Sequence, residues 1–366
     1  MHMKSSWKRV GVASAVVALV ATAAGCGGSS AGGTDSGSGS STGGIARAEA
    51  QVQKFAENPA LTVSPLPSAP KTSTHAIQVN CTIPACAPGA MKPAMAALSW
   101  QFEEMPYDIS KGPSAAQDAL TRAIAAKPDV IFFGANYPEA IFKSRIEAGV
   151  KQGIKFVNIG GAVSPNYSAC IQCTESLEAL GALAADVALA DAGGKTEIAV
   201  ASDNSIAALK SEADGVKAQV AKNGDGSKVL DLEQSISATP ADNAARTVSF
   251  LQRNPNVKYL IATQQFVNAQ ALASAGLGSR VKLVGMYPLN ETDAAVVKNG
   301  QVLAYATGEL ASLYWRAADA GVRAVEGVKM DPAPIQSLRV IDKSNADASL
   351  LEPANYQDIY KKAWHR

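Results

Sequence analysis

The sequence predicts an α/β protein of two doubly wound parallel-sheet lobes joined by a hinge. Three observations carry this. Short, continuously apolar strands alternate with helical segments from His75 onward. The rhythm breaks once, over Gly160–Gln172, in a stretch of Gly, Pro, Asn and Ser, and then restarts. Strands apolar on both faces and separated by helices belong to parallel sheets covered on both sides. About 300 residues carry the pattern, room for two domains of ordinary size.

In chain order, His75–Asn80 reads as a strand, Gly89–Leu98 as a helix and Ser99–Glu104 as a strand. Pro113–Ala126 is a helix, with Asp118 and Arg122 one turn apart for a surface pair. Asp129–Gly134, Pro138–Gln152 and Lys155–Ile159 continue as strand, helix and strand. After the break, Thr174–Asp191 is a long Ala/Leu helix stopped by Gly193-Gly194, a normal C-terminal signal. Strands follow at Glu197–Ala201, Lys228–Leu232, Lys258–Thr263, Val281–Met286 and Val302–Ala306. The helices between them begin near Ser205, Pro240, Val267 and Asn290, and a last long helix runs Leu310–Gly327. In such sheets ligands bind outside the carboxyl ends of the strands, so facing lobes would share one cleft.

The first 25 residues have the layout of a secretory signal. Lys4, Lys8 and Arg9 precede a 15-residue run from Val10 to Ala24. A basic start, a short hydrophobic run and small residues before a cut site make an export signal. The run is shorter than the ~20 residues a membrane-spanning helix needs. Ala23-Ala24-Gly25-Cys26 resembles the lipobox of bacterial lipoproteins, with Ala23 where Leu is usual. That resemblance implies cleavage before Cys26 and a diacylglycerol on its sulfur. Residues 27–44 are almost entirely Gly, Ser and Thr. These 18 residues form a flexible coil reaching roughly 23 Å, a sensible tether for a lipid-anchored cysteine. Residues 45–74 read as a short amphipathic stretch followed by a Pro-rich spacer.

Removing Lys4, Lys8 and Arg9 takes the formal charge from +1 to −2. With no basic patch, nucleic acid is not an expected partner. Cysteine use agrees with an oxidising compartment. Beyond Cys26 the cysteines form two close pairs, Cys81 with Cys86 and Cys170 with Cys173. Two local disulfides are the simplest reading. A four-thiolate zinc site and a redox Cys-x-x-Cys at a helix start are the alternatives. Catalysis finds little support. The histidines are His2, His75 and His365, and no Ser-His-Asp, Cys-His or metal-ligand cluster assembles around them. No phosphate-cradling Gly-rich motif occurs. No cofactor, metal or enzyme activity is therefore expected.

The segments PSAAQDALTRAIAAKPDVIFFGA, EAGVKQGIKFVNIGG, NPNVKYLIATQQ, VKLVGMYP and VVKNGQVLAYATGE occur in that order. Together they resemble the type I periplasmic binding proteins, the sugar-binding kind that feeds ABC transporters. The resemblance implies a first lobe of residues 75–163 plus 290–325 and a second of 166–288, with 326–366 as a C-terminal extension. It also implies a monomer outside the cytoplasm, held to the membrane by its lipid, that hands a small molecule to a permease. A ligand-sensing receptor component of the same fold is the alternative role; an extracytoplasmic thiol oxidoreductase using Cys170 and Cys173 is a third.

At the ligand contacts the sequence departs from the sugar-binding pattern. Gly160-Gly161 stand where an Asp-Arg-type pair is usual, Gln264-Gln265 where Asn-Asp is usual, and Met286-Tyr287 where the strand would end in Phe-Asp. The expected contacts are Asn80 at the first strand's end and Asn136 with Tyr137 after Gly134; Phe102 and Tyr107, following the second strand, are either an aromatic wall or core packing. Asn204 is either a contact or a helix N-cap, and Lys210 either the equivalent of a family arginine or a solvated lysine. Gln264, Gln265 and Tyr287 are expected from the second lobe, and Glu309 near the last contact. Tyr314 and Trp315 read as helix packing.

Overall fold

Runs of β-branched and aromatic residues pair as two sheets in the computed structural model, which describes residues 41–57, 60–134, 136–286, 291–330, 338–346 and 352–366. The expected signal segment, Cys26, the expected tether up to residue 40 and Tyr287 lie outside the described residues. The strands are β1 (His75–Cys81), β2 (Gln101–Tyr107), β3 (Val130–Phe133), β4 (Lys155–Gly161), β5 (Ala169–Cys173), β6 (Glu197–Ser202), β7 (Lys228–Glu233), β8 (Val257–Ala262), β9 (Lys282–Gly285), β10 (Ala304–Gly308) and β11 (Leu338–Asp342). The helices are α1 (Ser41–Lys54), α2 (Lys92–Leu98), α3 (Pro113–Ala125), α4 (Lys143–Lys151), α5 (Thr174–Ala192), α6 (Ala207–Asn223), α7 (Pro240–Arg253), α8 (Ala269–Ser274), α9 (Glu291–Lys298), α10 (Ala311–Glu326) and α11 (Tyr356–Ala363).

The first sheet has the order β2-β1-β3-β4-β5, with every pairing parallel. The second has the order β11-β10-β9-β8-β6-β7, parallel except for the antiparallel β10–β11 pair at its edge. Local chemistry sets the helix ends. Pro113 and Pro240 open α3 and α7 at positions where a missing N–H costs nothing. The Thr239 hydroxyl accepts from the Asp242 N–H and the Asn268 side chain from the Ala271 N–H, capping α7 and α8.

One apolar cluster buries a face of the first sheet under α3 and α4 and a face of the second under α7, α8 and α9, and is continuous across the lobes. It joins Tyr107, Ile109 and Tyr137 of the first lobe to Ile206 and Leu209 of the second. A second cluster buries the outer face of the second sheet under α1, α5 and α6, and a third covers the first sheet with α2, α10 and α11. The tightest helix contact is α5 on α6. A Cβ at Gly181 would overlap the Glu212 carbonyl oxygen, and one at Gly215 would overlap the Glu178 carbonyl. The two backbones therefore touch directly, which only glycine at both positions allows.

The structure divides the chain differently from the sequence pattern at three places. Residues 169–173, expected in the break and in the second lobe, form β5 at the edge of the first sheet. Only Ile171 of this short strand is buried, so it lacks the apolar run that marks a strand. Conversely β10, expected in the first lobe, pairs with β9 in the second sheet, and the chain returns only with α10, which packs on β3, β4 and β5. The crossings thus fall at 173–174 and 308–311 rather than at 163 and 290.

Residues 45–74, expected as a spacer, are part of the body. Ile45, Ala48 and Val52 of α1, and Phe55 just after it, pack into the second lobe's outer cluster. Leu66 is buried in the first lobe, and its N–H donates to the Ala363 carbonyl at 2.8 Å. Prolines prevent a helix here but leave carbonyls exposed. The Trp100 indole N–H donates to Lys71 O and the Arg366 guanidinium to Pro70 O. The C-terminal segment closes the same region: Trp364 stacks on Trp315 with centroids 5.4 Å apart and donates to Asp319 at 2.8 Å.

Candidate ligand cleft

The carboxyl ends of strands from both sheets open onto one cavity of about 120 Å³. The first lobe contributes Asn80 after β1, Asn136 after β3, Ile159 and Gly160 of β4 and Gln172 of β5. The second contributes Ile206 after β6, Ile236 after β7, Thr263 and Gln264 after β8, Met286 after β9 and Thr307–Glu309 around the end of β10. Residues 177, 180, 209 and 212 reach the cavity from α5 and α6, and Leu313 and Tyr314 from α10. This is the position at which open parallel sheets bind ligands. The Ala207 N–H donates to the Asn136 carbonyl at 2.9 Å, a backbone bond between the lobes at the cavity's edge.

A network on the first lobe shapes one wall. The Asn80 side-chain NH2 donates to Cys86 O at 2.7 Å and to the Tyr314 hydroxyl at 3.0 Å, while its Oδ1 accepts from the Cys81 N–H at 2.9 Å. The Tyr314 hydroxyl in turn donates to Cys86 O at 2.5 Å. Burial pushes its pKa up to about 12, so it keeps its proton and its donor role at neutral pH. Gly134 makes room for this arrangement, because a Cβ there would overlap Asn80 Oδ1. Cys81 and Cys86 are joined, with Cα atoms 5.7 Å apart, so the loop carrying the Cys86 carbonyl is closed on itself. Cys170 and Cys173 are joined likewise, where β5 runs into α5. Among the described residues no group of three or more His, Cys, Asp and Glu is placed to hold a metal ion.

Of the expected contacts, Asn80, Asn136, Gln264 and Glu309 line the cavity. Asn136 donates to the Tyr107 hydroxyl at 2.7 Å, and Glu309 is ion-paired with Arg316 and accepts from Ser312 at 2.8 Å. Five others do not line it. Phe102 packs into the first lobe's outer cluster, because its place on the pleat matches Ala76 and not Ile77. Tyr137 is buried in the inner core with its hydroxyl donating to Ile109 O at 2.8 Å. Asn204 is exposed and bonds the Glu233 carboxylate. Lys210 points to solvent in an ion pair with Asp214 one turn on, and Gln265 is exposed beside Gln264. Tyr314, expected as packing, does pack in the first lobe's outer cluster and is also a wall of the cavity.

The apolar lining and one acidic group were not foreseen. Ile83, Ile109, Leu177, Leu180, Leu209, Ile236, Met286 and Leu313 make most of the surface. Among them sits Glu212, 6% exposed, whose pKa burial alone raises well above the ordinary carboxylate value.

Two lobes of parallel sheet with a shared cleft at their carboxyl ends define a bilobal small-molecule receptor. The sequence agrees: residues 89–329 match the periplasmic binding protein domain, and the chain belongs to that family. No curated protein matches the chain. Among solved structures, it is similar to a carbohydrate-transporter solute-binding protein from Agrobacterium radiobacter in complex with D-arabinose. That match has TM-score 0.67 and 16% identity over 78% of this chain and all of the other. A solute-binding protein from Agrobacterium vitis with bound D-fucose matches with TM-score 0.66 and 17% identity, over 75% and 97%. GanP, a glucose-galactose binding protein from Geobacillus stearothermophilus, matches with TM-score 0.64 and 20% identity, over 75% and 99%. At these identities the likeness is one of fold.

Proposed function

We propose that this chain is an extracytoplasmic solute-binding protein, lipid-anchored at Cys26, that captures a small molecule between its lobes and delivers it to an ABC transporter permease. The observation that carries the reading is the shared cavity, lined from the carboxyl ends of both sheets. Contacts drawn from two lobes are complete only when the lobes are together, so a ligand favours that state by its differential affinity. Asn80, Asn136, Gln264, Thr263 and Glu212 are the polar contacts under this reading, with Tyr314 and the aliphatic residues as walls.

A thermal-shift screen tests the proposal with a panel of monosaccharides, small amines, aromatic alcohols and amino acids. At least one solute is expected to raise the unfolding temperature, because binding to the native state alone stabilises it by RT ln(1 + [L]/Kd). A panel in which nothing moves the transition would overturn it.

A further inference from the structure

The cleft's polar groups are not balanced between donors and acceptors. The NH2 groups of Asn80 and Asn136 already donate within the protein, to Cys86 O and to the Tyr107 hydroxyl. The Tyr314 hydroxyl donates to Cys86 O, and the Thr263 hydroxyl donates to Ala201 O at 3.2 Å. A hydroxyl that has donated still offers a lone pair. Among the described lining residues there is no Lys, Arg or His. Gln172 and Gln264 also line the cavity, and the Gln264 Oε1 accepts from the Gln265 N–H, which leaves its NH2 to donate. Asn80, Asn136, Tyr314 and Thr263 have thus spent donors within the protein and offer acceptors to a ligand.

Glu212 is the sharpest of these. Its Oε2 is fully buried and has no hydrogen-bond partner in the protein. The residue lines the cavity between Leu180 and Leu209, and its backbone is pinned by the close approach of Gly181. Among the described residues no ion pair is made by its carboxyl, and burial raises its pKa. Such a carboxyl stands neutral in an apolar wall, and an unsatisfied buried acceptor costs free energy until something donates to it.

We propose that Glu212 anchors the ligand's donor group and that the cleft takes a small amine carried on an apolar body. This rests on the cleft being the solute site, and narrows its substrate class. On binding, the Glu212 carboxyl releases its proton to solvent, and the resulting carboxylate accepts a hydrogen bond from the ligand's ammonium. The charge thereby buried is paired, which is the condition under which a buried ion is tolerated. Leu177, Leu209, Ile236 and Met286 receive the apolar body, the usual division of labour in a small-molecule pocket. An apolar cavity of about 150 Å³ accepts a benzene ring; this one encloses about 120 Å³ and is open on one side, so a ligand of that size would extend into the opening. A sugar would set several hydroxyls against aliphatic walls that cannot satisfy them.

Calorimetric titration of the full chain at neutral pH tests this, with benzylamine, benzyl alcohol, benzoate and D-arabinose as probes, each in phosphate and in Tris buffer. Benzylamine is expected to bind and benzoate is not. Close to one proton should leave per benzylamine bound, read from the dependence of the heat on the buffer. Glu212→Gln keeps the shape and the neutral charge of the buried acid. It should weaken benzylamine by about tenfold to a hundredfold and abolish the proton release. A cooperative unfolding transition in the unliganded variant, at or above the parent's temperature, shows that it is folded. Equal benzylamine affinity in both chains, or binding without proton release, overturns the assignment. If D-arabinose binds both chains alike while benzylamine is silent, the solute-binding reading stands and the amine assignment falls. Silence from all four probes also overturns it.

Discussion

Replacing Gly181 with Ala should destabilise this protein, although the same exchange in an unobstructed helix stabilises. At an exposed helical site the gain from removing a glycine is about 1 kcal/mol. At Gly181 the added Cβ would stand 2.9 Å from both the Glu212 carbonyl carbon and the Val216 nitrogen, and would overlap the Glu212 carbonyl oxygen. Carbon atoms prefer to lie about 3.5–4.0 Å apart. The obstruction is helix backbone on both sides, so no side-chain rotation relieves it and α6 must move outward. Overpacking of this kind costs about 1–3 kcal/mol and sometimes more, which exceeds the propensity gain. We expect a net loss of about 1–2 kcal/mol, read as a lower urea midpoint with unchanged slope. The control is Gly194→Ala just past the helix, where a Cβ meets nothing within 4 Å; it should lie within about 0.5 kcal/mol of the parent. A Gly181→Ala chain as stable as the parent would refute the direct backbone contact between α5 and α6.

Two further outcomes follow from the same reasoning. Glu212 has its folded-state pKa raised above the ordinary 4.5, so its contribution to stability is full below that value and is lost as pH rises through the folded value. The Glu212→Gln chain should therefore gain stability relative to the parent as pH rises above the ordinary carboxylate range, and a pH-independent difference in urea midpoints would contradict the burial of that carboxyl. Cys26→Ser should move the chain from the membrane to the soluble fraction of cells that express it, because the lipid is the proposed attachment; continued membrane residence would remove the anchor from the account.

The strands that position the cleft were legible because their apolar character is local. VIFF of β3 and YLIA within β8 are buried at every residue, and such runs signal sheet regardless of context. The edge strand β5 was not legible, since ACIQC buries one residue and its pairing with β4 is a tertiary fact. The sheet to which β10 belongs was hidden for the same reason: its residues are apolar in either lobe, and the decision lies in pairing with β9 and β11. Cavity-lining positions at strand ends, such as Asn80 and Gln264, followed from topology. Phe102 failed because strand alternation sends it to the opposite face, a register question. Glu212 gave no signal: in SEADG it reads as a solvated helix residue, and only Gly181 and Gly215, distant or unremarkable in sequence, bring α5 over it.

The central claim is that the inter-lobe cavity is where the solute binds. Ala208 lines that cavity and is half-buried, so Ala208→Trp fills the space without opening the core. Calorimetric titration with the solute that most stabilises the parent chain should give one-site binding there. In an Ala208→Trp chain of unchanged unfolding temperature it should give no measurable binding. Equal affinity in the two chains would place the solute elsewhere and contradict the account.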